Sequence, residues 1–222
     1  QDLVDAVADG MAALDATDEQ DPSRAARLNN LGNSTRYLAE ATGDDYLWDE
    51  AGRLCAEAVS SSAPLDPARA LYQVSYAQAV REGPEAAAGL AAALGQRTAA
   101  PAVRVRAGRQ LGRLHAARGR WAEAGTAFGE TVECLRLLAP RHLSWDDQEH
   151  HLGRIPGLGS DAAAAALSAG RPERAVELLE NSRGVVLSYL LDVEEQQLRT
   201  VAPDLAESLL RVRAAMNAGR NR

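Results

Sequence analysis

The stretch that decides the fold is VRAGRQLGRLHAARGRWAEAGTAFGETVECLRLLAP, Val105 to Pro140. Gly119 divides it into two helical segments and Pro140 stops the second, because glycine and proline punctuate helices. So short a turn makes the two segments antiparallel neighbours. In the first, Leu111-Gly112 is followed after two residues by His115; in the second, Ala124 is followed after three by Phe128. Each position has a physical task. Gly112 lets the second helix come close to the first, Ala124 is the small residue where they cross, and Phe128 fills the space between this pair and the next.

The same helix, brief turn, helix alternation extends in both directions. LVDAVADGMAALDA, from Leu3, reads as a short amphipathic helix. In DPSRAARLNNLGNSTRYLAEATG, Asp21 is the expected cap, Pro22 fits the first helical turn and Gly43 closes the helix. YLWDEAGRLCAEAVSSSAP follows, then DPARALYQVSYAQAVREG with a second Asp-Pro start at Asp66, then PEAAAGLAAALGQRTAA. Downstream, SDAAAAALSAG and RPERAVELLENSRGVVLSYLL form another pair, and PDLAESLLRVRAAMNAGRNR reads as a last helix. The five alanines Ala162 to Ala166 are strong helix formers that bury little area. They keep one helix thin, so that its partner packs tightly against it.

Composition agrees. The 222 residues are 46% hydrophobic but only 4% aromatic, so alanine carries much of the apolar content and strand formers are sparse. The net charge of −7 argues against nonspecific nucleic-acid binding, which needs a basic surface. All 24 basic residues are Arg. Cys55 and Cys134 lie far apart in apolar-periodic segments, which predicts two buried free thiols rather than a disulfide, and a reducing, cytoplasmic compartment. No run reaches the roughly 18 apolar residues a membrane span needs. The acidic start, QDLVDAVADGMAALDATDEQD, lacks Met and is unlike a signal peptide; a fragment of a longer chain is expected.

The Val105–Pro140 pattern resembles the tetratricopeptide repeat (TPR), with His115 where Tyr is usual and Thr131 where a second small residue is usual. Leu28, Leu31-Gly32, Ala51, Cys55 and Ala58 match it again, with TGDDYLW inserting about two extra turns relative to the ~34-residue unit. The segment ALYQVSYAQAVREGPEAAAGLAAAL is a degenerate unit without the Leu-Gly pair. Ala162-Ala163, Ala175 and Leu179 take the Leu-Gly, crossing and aromatic positions of a further one. The expected fold is all-α, a TPR-like alpha-alpha superhelix built as a solenoid of antiparallel helix pairs. Its array would occupy residues 1–200, with units at 23–63, 66–98, 102–139 and 146–190, and a C-terminal helix or linker at 201–222.

A narrower resemblance lies in GLGSDAAAAALSAGRPERAVELLENSRGVVLSYLLD, Gly157 to Asp192, with its Arg183-Gly184 dipeptide. It is similar to the last repeat before the CHAT domain of bacterial TPR–CHAT proteins, and DVEEQQLRTVAPDLAESLLRVRAAMN resembles the helical linker that follows. The CHAT domain is caspase-like and uses a His/Cys pair. His115, His142, His150 and His151 have no Cys nearby in a nucleophile context, so no catalytic residue is carried over. The resemblance implies a non-catalytic protein-interaction scaffold N-terminal to such a domain. The alternatives are the regulatory arm of a CHAT protease, or the TPR sensor region of a bacterial transcription regulator.

Candidate site residues follow from helical spacing. Arg106, Arg109 and Arg113 share one face of the first helix of their unit, the face that lines the groove of a repeat array. Asn29, Asn33 and Arg36 share the same face in the earlier unit. Together they suit an acidic peptide or a carboxylate terminus, with a downstream CHAT domain as a possible intramolecular partner. No cofactor or metal is expected. Glu149-His150-His151 beside Asp146 and Asp147 has metal-like residue types, but adjacent His side chains point about 100° apart on a helix. Trp48, Trp121 and Trp145 stand near helix starts, where packing at turns is their expected role. Gly-rich phosphate loops and nucleophile elbows are missing from the sequence.

Overall fold

A computed structural model of the chain describes residues 2–138, 157–208 and 211–212. Its helices are α1 (Asp2–Asp15), α2 (Arg24–Thr42), α3 (Asp45–Ser61), α4 (Arg69–Ala79), α5 (Pro84–Gly95), α6 (Pro101–Ala117), α7 (Trp121–Leu138), α8 (Leu158–Ser168) and α9 (Pro172–Val201). Residues 203–208 add a further helical stretch, and no strand occurs among the described residues. Each of α1 to α7 packs on the next in the chain, α7 packs on α8 and α8 on α9. Second-neighbour contacts join α2 to α4, α4 to α6 and α6 to α8 on one side, and α5 to α7 and α7 to α9 on the other. That is serial stacking of hairpins, with first helices forming one face and second helices the opposite one.

Within a hairpin the helices meet where one lacks a side chain. A Cβ on Gly112 would lie 2.6 to 2.7 Å from three ring carbons of Phe128, which is itself buried. On Gly32 it would lie 2.6 Å from Cys55 Sγ, on Gly108 3.1 Å from Thr131 Cβ, and on Gly159 2.7 Å from Ser182 Cβ. Ala51, Ala58, Ala93, Ala124 and Ala162 are fully buried around these crossings. One apolar core runs from Ala70 in α4 through to Leu178 in α9. A smaller one joins α2, α3 and Tyr72 of α4, with Val7 and Leu14 of α1 packed on it. Leu178, rather than the Leu179 expected from the repeat pattern, is the fully enclosed residue of its turn. It reaches back to Gly129 of α7, whereas Leu179 faces Gly159 of α8.

The seams between hairpins are fastened by arginine. Arg69, in the first turn of α4, donates to the carbonyls of Val59 and Ser62 and to Ser62 Oγ, at the C-terminal end of α3. Arg104, in the first turn of α6, donates to Leu94 O of α5 at 2.8 Å. Arg24 of α2 reaches Thr17 O at 3.3 Å, just beyond α1. Arg69 and Arg104 reach carbonyls in the last turn of a helix or at its cap, where a positive charge suits that end of the helix dipole. The two Asp-Pro starts work differently from the caps expected of them. Asp21 accepts from Ser23 N and Asp66 from Ala68 N, closing a turn before the helix begins at Arg24 or Arg69. Proline therefore sits in that turn, and the fastening arginine takes the first helical position.

The TGDDYLW insertion lengthens helices rather than a loop. Gly43, in the left-handed region at φ 73°, ends α2, and Asp44 caps α3 immediately by accepting from Tyr46 N at 2.9 Å. Cys55 and Cys134 are free and buried, and burial pushes the Cys55 thiol up to about 12 and raises that of Cys134. The segment expected to end near Leu191 continues as one helix to Val201.

Glycine substitutions separate contact from propensity. Gly112→Ala is expected to lower unfolding free energy by ~1–3 kcal/mol, because the clash with Phe128 exceeds the ~1 kcal/mol gain in helix propensity. Gly52→Ala, whose new methyl would meet Val80 at an ordinary 3.6 Å, is expected to raise it by up to ~1 kcal/mol. Urea unfolding of both variants reads the opposite signs. Arg69→Met should cost about 1.5–3 kcal/mol in the same assay, since it removes the charged donor to Val59 O, Ser62 O and Ser62 Oγ at the α3–α4 seam.

Candidate functional site

The first helices α2, α4, α6 and α8 share a face, and every predicted site residue lies on α2 or α6. Asn29 is only 3% exposed, and its Oδ1 is buried without a hydrogen-bond partner. Its backbone carbonyl accepts from Asn33 Nδ2 at 2.9 Å, and Asn33 Nδ2 also donates to Ser75 Oγ at 3.1 Å. Asn33 thus ties α2 to α4, and Asn29 lies beneath that tie. Arg36 is mostly covered: its guanidinium sits 4.1 Å over the Tyr37 ring and 3.4 Å from Glu40 Oε2.

Arg106 is the open member. The residue is exposed, and among the described residues no carboxylate pairs with it. Its pKa is nevertheless lowered, chiefly by the protein crowded around its guanidinium; the charge of Arg36 adds to this and Tyr37 opposes it. A surface that bends around a group surrounds it with protein without covering it, which reconciles the exposure with the shift. The stack therefore brings Arg36 of α2 and Arg106 of α6 within electrostatic reach across α4.

Arg109 and Arg113 meet a carboxylate that sequence spacing did not reveal. Asp161 Oδ2, in the first turn of α8, lies 3.2 Å from Arg113 and 3.9 Å from Arg109 Nε. The register has a counterpart in the earlier seam. Asn33 directly follows Gly32 and meets Ser75, two residues before Ala77; Arg113 directly follows Gly112 and meets Asp161, two residues before Ala163. Glu40 was readable as an i, i+4 partner of Arg36. Asp161 was not, because 48 positions separate it from Arg113.

Two grooves among the described residues lie along the second helices. Trp48, Arg53, Tyr76 and Arg81 line a groove of 370 Å³ between α3 and the α4–α5 turn. Arg81 stands at φ 58° with its guanidinium 4.6 Å from the Trp48 ring and 3.5 Å from Asp45. Trp48 thus packs at a turn junction, whereas Trp121 is 39% exposed at the start of α7. A second groove of 260 Å³ lies between α7 and the α8–α9 turn. Among the described residues no three His, Cys, Asp or Glu side chains group to hold a metal ion. Asp146, Asp147, Glu149, His150, His151, His142 and Trp145 lie outside the described residues. No described helix is long and apolar enough to cross a membrane.

No family model and no curated protein matches the chain. Among solved structures it is similar to the TPR-like repeats of a Podosopora anserina protein named as a kinesin light chain, at TM-score 0.55 and 21% identity. That match covers 82% of this chain and 86% of the other. The fold is a TPR-like repeat solenoid. The likeness speaks to the fold, and the residues on the first-helix face of this solenoid must be read for themselves.

His115, at the solenoid position where a repeat usually carries Tyr, has its Nδ1 buried without a hydrogen-bond partner. Burial lowers its pKa below the ordinary 6.5; Arg120 and Arg118 add to this and Glu123 opposes it. The unfolded chain then takes up the proton first. The contribution of His115 is therefore complete above about pH 6.5 and is lost as pH falls toward its folded pKa. His115→Tyr is expected to make the loss of unfolding free energy between about pH 7.5 and 5.5 shallower, measured by urea titration at each pH.

Proposed function

We propose that this chain is a non-catalytic interaction scaffold whose first-helix face takes an acidic segment of a partner protein. The observation that carries the reading is Arg106, exposed, without a carboxylate partner among the described residues, and within electrostatic reach of Arg36. A guanidinium that holds its charge amid surrounding protein gains from a carboxylate that meets it directly. The chain as a whole carries −7, so the basic ridge is a local feature. It acts on a partner within about a Debye length, roughly 8–10 Å at ordinary salt, rather than steering polyanions from afar. A stacked solenoid presents this face ready-made, which lowers the ordering cost of binding.

The resemblance of Gly157–Asp192 to the last repeat of TPR–CHAT proteins supports a more specific reading. In it the hairpins α2–α3, α4–α5, α6–α7 and α8–α9 correspond to the units at 23–63, 66–98, 102–139 and 146–190 of a cytoplasmic array. Residues 201–222 lead toward a caspase-like CHAT domain, which the array restrains or directs. Sequencing the reading frame past Arg222 tests this part: a His motif and a Cys motif support it, and an immediate stop codon ends it.

The site is tested by titrating a fluorescent hexaglutamate peptide into the chain at about 50 mM and about 200 mM salt. Binding is expected to weaken with salt. Arg106→Gln is expected to weaken it about tenfold, as for the loss of a charge-assisted hydrogen bond. Equal affinity in the wild type and Arg106→Gln would remove the site from the first-helix face.

A further inference from the structure

The three arginines that share one face of α6 do not share one condition. Arg106 is open, whereas Arg113 and Arg109 already hold the carboxylate of Asp161. The contact is of the same chemical kind that an acidic partner would make. It is also loose. The Arg113 side chain is 59% exposed and that of Asp161 34%, so water and a competing anion reach both. The Arg109 Nε distance of 3.9 Å is beyond hydrogen-bond range. At the equivalent seam position the earlier hairpins use Asn33 and the neutral Ser75. A charged partner is therefore not what this register requires for stacking.

We propose that Asp161 is an internal competitor for the basic ridge: an acidic segment that docks at Arg106 displaces the Asp161 carboxylate from Arg113 and Arg109. This rests on the acidic-segment reading above and adds a regulation to it. In the free chain Asp161 occupies the α8-facing half of the ridge, and the half near Arg36 stays open. A short or weakly charged ligand meets Arg106 alone. A ligand with a run of carboxylates reaches Arg113 as well, and its apparent affinity is reduced by the fraction of molecules in which Asp161 is seated. Because Asp161 belongs to α8 and the arginines to α6, its displacement also removes a link between the third and fourth hairpins.

The experiment uses the whole chain and hexaglutamate as the probe, with wild type, Asp161→Asn, Asp161→Ser, Arg113→Gln and the Asp161→Asn/Arg113→Gln pair. Asp161→Ser copies the residue of the earlier seam and serves if Asp161→Asn does not fold. Removing the competitor is expected to tighten binding about two- to fivefold, within what an exposed ion pair supports. Arg113→Gln is expected to weaken binding by less than about twofold in the wild type and by about fivefold in the Asp161→Asn background, where its guanidinium is available. If wild type and both Asp161 variants bind equally while Arg106→Gln still loses binding, the ridge is a site and Asp161 is only a seam contact, which overturns the inference alone. If none of the chains binds hexaglutamate, the acidic-segment reading falls and the inference falls with it.

Discussion

The structure depends on how closely two helices can approach when one of them has no side chain at the crossing. Phe128, Cys55 and Ser182 each come too close to leave room for a Cβ on Gly112, Gly32 and Gly159 respectively. With such closeness a core made largely of alanine still works, because packing density replaces side-chain size. Each alanine buries little area, so the hairpins gain stability from many small contacts and from the next hairpin in the stack. The core follows this logic by running through successive helices from α4 to α9 instead of closing around a centre.

A stack of this kind has two recurrent problems, its open helix ends and its seams. Arg69 and Arg104 address the first, each reaching from the start of one first helix to carbonyls at the end of the preceding second helix, and Arg24 reaches the turn after α1. Asn33 with Ser75, and Arg113 with Asp161, address the second, joining neighbouring first helices across a seam. Arginine thus serves in two settings. Where it donates to backbone it fastens the framework, and on α6 it faces a carboxylate at the solvent-exposed surface. Arg106, on the same helix face, is exposed and has no carboxylate partner among the described residues.

Much of the architecture was legible because its determinants are local. Gly112, Ala124 and Phe128 mark a crossing by spacing alone, and Gly43, Gly119 and Gly170 mark helix ends that do adopt positive φ. Details that depend on competition between neighbouring groups were less so. Asp21 and Asp66 read as caps, but each closes a turn one step earlier, since the arginine that follows is held at the seam. TGDDYLW reads as an insertion between helices, yet Gly43 and Asp44 turn the chain so tightly that the extra residues extend α2 and α3.

The candidate face shows the division most clearly. Helical periodicity by itself determined that Arg106, Arg109 and Arg113 share one side of α6, and that Asn29, Asn33 and Arg36 share one side of α2, because both sets repeat at three and four residues. Only the tertiary structure decided that these residues have different tasks. Asn29 is buried, Asn33 binds Ser75, and Arg109 and Arg113 meet Asp161, while Arg36 lies over Tyr37 and pairs with Glu40. The reason is that a helix face is fixed by neighbours three or four residues apart, whereas the charge opposite that face arrives from another hairpin, at a distance along the chain that no local pattern encodes.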